Sequence, residues 1–147
     1  MQVTTPPQGA TASPALLLMM LGRQLRDQAE SDLRDHGLSM RHFSALGHLA
    51  HQPGLSYSEL ARRDGITAQS MQATLRQLQD LGAVELLTEP GRGRTADLQV
   101  TDAGQALLEK GRTVLRAADR RLMDAIGNES AEQLAQLVLQ ALVGLKK

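Results

Sequence analysis

The stretch ARRDGITAQSMQATL, residues 61–75, decides the fold. Two helical patterns meet there at Asp64-Gly65, where glycine tolerates the positive φ of a tight turn and Ala61 is small enough for two helices to cross closely. Leu60, Ile66 and Met71 supply the apolar core such a pair must share. With Met71, Leu75 and Leu78 inward at i, i+4 and i+7, the second helix turns Gln69, Ser70, Gln72, Ala73, Arg76 and Gln77 outward. A solvated helix face ordinarily carries Glu/Lys pairs, and this one has none.

Those outward residue types suit double-stranded DNA. Glutamine reads adenine with two hydrogen bonds, serine and threonine reach phosphates or bases, and arginine pairs with guanine or phosphate. Thr67 caps the helix start, whose free N–H groups and positive dipole end favour phosphate. The candidate DNA-binding set is therefore Thr67, Gln69, Ser70, Gln72, Ala73 and Arg76, with Ser56 at the start of the preceding short helix.

Beyond Leu81-Gly82 the period changes from helical to two. Val84, Leu86 and Thr88 alternate, as do Ala96, Leu98 and Val100, around the turn-rich Glu89-Pro90-Gly91-Arg92-Gly93-Arg94. This predicts a β-hairpin with a basic tip, and Arg92 and Arg94 are placed to enter the adjacent minor groove. Helix, turn, helix, hairpin is the order of a winged helix-turn-helix.

Upstream, residues 1–12 lack periodicity and form an expected flexible arm. Ser13-Pro14 opens a first helix running to Asp35 or His36, with Arg23 expected to pair with Asp27, and Glu30 with Arg26 and Arg34. Ser39 caps a second helix through Phe43, Leu46 and Leu49, ended by Gln52-Pro53-Gly54, and Ser56 to Glu59 has capping-box spacing. Downstream, Thr101 caps a long helix ending near Gly127-Asn128, and the capping-box spacing of Ser130 to Gln133 predicts a last helix with Leu134, Leu137, Leu142 and Leu145. The class is mainly α with a small β-hairpin wing. The expected divisions are the arm 1–12, supporting and dimerisation helices over 13–54, the DNA-binding domain 55–100 and dimerisation helices over 101–147.

Composition narrows the alternatives. The 147 residues hold no cysteine, so disulfides, thiolate metal sites and thiol switches are excluded. Tyr57 and Phe43 are the only aromatics, which leaves an aliphatic core and no base-stacking platform. No run approaches the ~20 apolar residues of a membrane span, and the Ala15–Leu21 run has no basic residue before it, so the expected location is the cytoplasm. Net charge is zero, which disfavours bulk polyanion binding but not locally sorted cations. Over residues 56–100, Arg62, Arg63, Arg76, Arg92 and Arg94 do not outnumber the acids Glu59, Asp64, Asp80, Glu85, Glu89 and Asp97.

The chain resembles the multiple-antibiotic-resistance regulator (MarR) family. The resemblance rests on Ser58-Glu59-Leu60-Ala61, on Leu78-Gln79-Asp80-Leu81-Gly82-Ala83-Val84, and on Arg94 followed by Leu98, Val100-Thr101 and Gly104. It spans about residues 14–146 and implies a homodimeric transcription factor, usually a repressor, reading a palindromic operator through two recognition helices and two wings. It also implies release by a small, often anionic aromatic ligand. No cofactor is expected. The sequence departs from the family at Arg92, which replaces the wing acid that braces Arg94, at Ala73, where a basic or polar reader is common, and at Glu85, where arginine is common.

Three other readings have weaker support. His36, His42, His48 and His51 invite a metal-dependent regulator, but only 48 and 51 share adjacent turns, no carboxylate stands at ligand spacing, and helix-end or solvent-facing histidines account for them. A winged-helix dimer acting as a protein-interaction module with weak DNA binding fits the neutral charge and the missing wing acid. An enzyme is not supported, because nucleophile, base and orienting acid never occur together. Met19, Met20 and Met40 read as core fillers, and the Arg112, Arg116, Arg120 stripe as a salt-bridged face.

Overall fold

A computed structural model of the chain describes residues 13–88 and 97–146. The elements run α1 Pro14–Arg34, α2 Met40–His51, α3 Tyr57–Asp64, α4 Ala68–Asp80, β1 Val84–Thr88, β2 Asp97–Val100, α5 Asp102–Ile126 and α6 Asn128–Leu145. Residues up to Gly111 form one compact unit and those from Arg112 onward a second. No helix among the described residues is long and apolar enough to cross a membrane.

The helix starts follow from side-chain oxygens that satisfy free backbone N–H groups. Ser13 Oγ accepts from Leu16 N, Ser39 Oγ from His42 N, Ser56 Oγ from Glu59 N and Thr67 Oγ1 from Ser70 N. The Ser56 cap closes differently from the usual box, since Glu59 takes the Ser56 hydroxyl at 3.0 Å. Thr101 Oγ1 accepts from Gly104 N and itself donates to the Gly82 carbonyl, so one hydroxyl opens α5 and ties it to the exit of α4.

The core of the first unit lies between α2, α3, α4 and the hairpin. Leu46, Leu60, Met71, Leu75, Leu78 and Leu98 are fully buried there. Strands β1 and β2 are antiparallel, pairing Val84 with Val100, Glu85 with Gln99 and Leu86 with Leu98, so Val84 and Leu98 point to the core while Glu85 and Gln99 face out. Gly104 comes so close to Ala83 that an added Cβ would lie 2.1 Å from its carbonyl oxygen. Phe43 covers Gly111 in the same manner, its ring filling the place of a Cβ.

Several expectations are corrected. Helix α6 begins at Asn128, not at the Ser130 spacing, because Gly127 at φ 88° turns the chain directly into it with no side-chain cap. Glu30 does not pair with Arg26 or Arg34; its carboxylate accepts the Met40 N–H at 3.1 Å and so joins α1 to the start of α2. Met19 and Met20 are not core residues of the single chain, being 66% and 46% exposed, on the side of α1 that also leaves Leu16 exposed. In α6 no residue is buried, and Leu137, Leu142 and Leu145 stand exposed.

Candidate nucleic-acid interface

The turn between α3 and α4 is closed by Gly65 at φ 67°, ψ 33°. This left-handed residue lets Ile66 N donate to Ala61 O at 3.0 Å and Gly65 N to Arg62 O at 3.3 Å, ending α3 in two bonds. Ala61 is 3% exposed, which permits the close crossing. Asp64, the last residue of α3, fixes the turn from the other side. Its Oδ1 accepts the Ser44 hydroxyl at 2.7 Å and lies 3.1 Å from His48 Nε2, both on α2, while Oδ2 is buried with no partner among the described residues.

Helix α4 buries Met71, Thr74, Leu75 and Leu78. Its opposite face exposes Gln69, Gln72, Ala73, Arg76 and Gln77, with Ser70 half-buried between them. Thr74, the one polar residue on the buried side, returns its hydroxyl to Ser70 O at 3.1 Å. Thr67 donates its hydroxyl to Ser70 Oγ at 3.0 Å, which leaves the Ser70 proton for an outside acceptor. Thr67, Gln69, Ser70, Gln72, Ala73 and Arg76 thus lie together on the helix start and outer face.

Ser56 stands apart from them. Its hydroxyl proton goes to Glu59 and its lone pair to the Glu59 N–H, so it caps α3 and has no donor to spare. Arg92 and Arg94, and the wing tip expected to lack the family's acid-to-arginine brace, lie outside the described residues. Near the turn, Asp64 and Glu59 accept hydrogen bonds from serine hydroxyls, and the exposed Arg63 donates to Gln52 Oε1 at 2.7 Å.

A cleft of about 420 Å³ opens beside the outer face of α4, lined by Glu30, Ser39, Arg41, His42, Ala73 and Gln77. His42 and Gln77 meet there at 2.7 Å. Neither belongs to the candidate set read from sequence. The pattern that could have marked His42 is its position three residues after the Ser39 cap, where glutamate or glutamine is the usual partner. Among the described residues no three His, Asp or Glu side chains converge as a metal set.

Known proteins are similar to this chain in sequence and fold. A model described as MarR family matches residues 36–95. The HTH-type transcriptional repressor Rv2887 of Mycobacterium tuberculosis is 38% identical over 107 residues, covering 73% of this chain and 77% of that protein. The crystal structure of that M. tuberculosis MarR family protein in complex with DNA superposes with a TM-score of 0.77 at 31% identity, over 88% of this chain and 97% of the other. Its complex with salicylic acid gives 0.71 at 31% identity, over 94% and 98%.

Proposed function

The chain belongs to the MarR family, and on that premise we propose that it is a homodimeric, sequence-specific DNA-binding transcriptional repressor whose hold on a palindromic operator is released by a small ligand. The observation that carries this reading is the outer face of α4, exposed and built of amides, a hydroxyl and one guanidinium, above a rigidly closed turn.

In this reading α4 enters the major groove. Gln69 and Gln72 hydrogen-bond base edges, Ala73 meets a thymine methyl, Arg76 pairs with guanine or phosphate, and Ser70 donates to a nearby acceptor. The Thr67 helix start faces a phosphate, Ser56 contributes through the capped start of α3 rather than its hydroxyl, and Arg92 and Arg94 reach the flanking minor groove. Residues 55–100 form the reading head. The exposed leucines of α6 and the exposed first half of α1 are covered by a second copy, within the dimerisation segments 101–147 and 13–54.

The related M. tuberculosis protein has been crystallised with salicylic acid and with p-aminosalicylic acid, so an aromatic carboxylate is the effector class. Such a ligand releases DNA by favouring a dimer whose two heads no longer match the operator. The protein works in the cytoplasm, where its DNA lies.

In-vitro selection of duplex DNA by the purified full-length protein tests the reading. The expected product is a palindrome with half-sites about one helical turn, roughly 34 Å, apart. A folded dimer that enriches no sequence overturns it.

A further inference from the structure

The imidazole of His42 links the start of α2 to the outer face of α4, and its hydrogen bonds fix more than its own position. Nδ1 accepts the backbone N–H of Ser39 at 3.2 Å, while Ser39 Oγ accepts the His42 N–H, also at 3.2 Å. A backbone amide only donates, so Nδ1 holds a lone pair and the single ring proton sits on Nε2. That nitrogen lies 2.7 Å from Gln77 Oε1. A donor there demands an acceptor, so the atom facing the ring is the amide's carbonyl oxygen and its NH2 is turned elsewhere. Among the described residues nothing takes either N–H of that NH2 group, and Gln77 is exposed.

Gln77 shares its side of α4 with Ser70 and Ala73, Ala73 one turn and Ser70 two turns before it along the helix. We propose that His42 is a positioning residue for DNA reading: it pins the Gln77 amide so that Gln77 presents N–H donors to an acceptor on the duplex. A free glutamine offers either end. Here the orientation is chosen in advance by a backbone N–H at the start of another helix, so less rotamer freedom is lost on binding. The acceptor is a phosphate oxygen or a base atom such as guanine N7 or O6, or thymine O4.

This inference rests on the DNA-binding reading above, and the test separates the two. Dissociation constants are measured for full-length protein on the duplex enriched by in-vitro selection, with thermal unfolding recorded for each variant. Gln77→Ala and His42→Leu are each expected to weaken binding about fivefold, the factor of one lost hydrogen bond. In the Gln77→Ala background His42→Leu adds less than about twofold, because the amide it positions is gone. His42→Gln, which can cap Ser39 through its oxygen and donate through its nitrogen, restores binding. A phosphate partner makes the loss uniform across duplex sequences, and a base partner relaxes preference at one base pair.

Equal losses from His42→Leu in both backgrounds, or His42→Gln binding as weakly as His42→Leu, overturn the proposal. Should His42→Leu not fold, His42→Glu keeps the cap but accepts from the Gln77 NH2 and reverses the amide. Its loss must then be larger with Gln77 present than in the Gln77→Ala background, and equal losses sink the idea. A wild-type protein that enriches no duplex removes the DNA reading itself, and this inference with it.

Discussion

Replacing Gly104 by alanine pits a local preference against a tertiary contact. In a helix, alanine is favoured over glycine by at most about 1 kcal/mol. At this position, however, the new Cβ would lie 2.1 Å from Ala83 O, 2.7 Å from Val100 Cγ1 and 3.0 Å from Ala83 C. Carbon and carbonyl oxygen approach no closer than about 3.3 Å, so α5 and the start of β1 must separate by roughly an ångström. Ala83 O also accepts from Thr101 N at 3.0 Å, and Thr101 Oγ1 donates to Gly82 O. Separation breaks both bonds, at about 1 kcal/mol each, and overpacking adds about 1–3 kcal/mol. Set against the helix gain, the expected loss is about 2–4 kcal/mol, read as a lower urea midpoint at unchanged slope by far-UV circular dichroism. Gly47→Ala, where nothing lies within 4 Å of the added carbon, is the control and is expected to stabilise by up to about 1 kcal/mol. A Gly104→Ala protein as stable as wild type would show that the close approach of α5 to Ala83 is not a constraint.

Two further substitutions probe the turn and the assembly. Asp64→Ala leaves the Ser44 hydroxyl and the His48 ring without their acceptor and is expected to cost about 1–3 kcal/mol in the same denaturation, whereas a change under about 0.5 kcal/mol would mean that α2 does not hold the turn. Leu142→Glu puts a charge on the exposed apolar side of α6, where Leu142 is 58% exposed; light scattering is expected to show a monomer and the selected palindrome to lose affinity, and a persistent dimer refutes this use of α6.

What could be read in the sequence was whatever local chemistry decides. Gly65 and Ala61 announce the turn because few residues accept its φ or its crossing distance, and Ser39, Ser56, Thr67 and Thr101 announce helix starts because their oxygens meet nearby N–H groups. The same local logic misplaced the start of α6. Ser130 has the right spacing, but the positive φ of Gly127 had already committed the chain to a helix from Asn128. The pairs that escaped are those joined only by tertiary packing. Glu30 looks like a helix-surface partner for arginine and instead meets Met40, while His42 and Gln77, on different helices, carry no mutual mark in the chain. Gln77 was visible as an outward residue, but which end of its amide faces out depends on the His42 tautomer and hence on Ser39.

Zero net charge becomes compatible with a DNA ligand once the charges are located. Asp64 turns toward Ser44 and His48 of α2, and Glu59 accepts the Ser56 hydroxyl on α3, so neither acid stands on the outer face of α4. On the outer face of α4, from Gln69 to Gln77, the only full charge is Arg76, set among neutral amides and a hydroxyl. Coulomb attraction draws any duplex, whereas a neutral hydrogen bond contributes only when donor and acceptor meet within about 3.2 Å. A helix face built mainly of the second kind gains little from random DNA and makes most of its contribution at the matched site. Its discrimination then depends on how firmly each amide is oriented before contact. The His42 bond to Gln77 therefore matters more here than it would on a strongly basic helix, where charge alone would hold the complex.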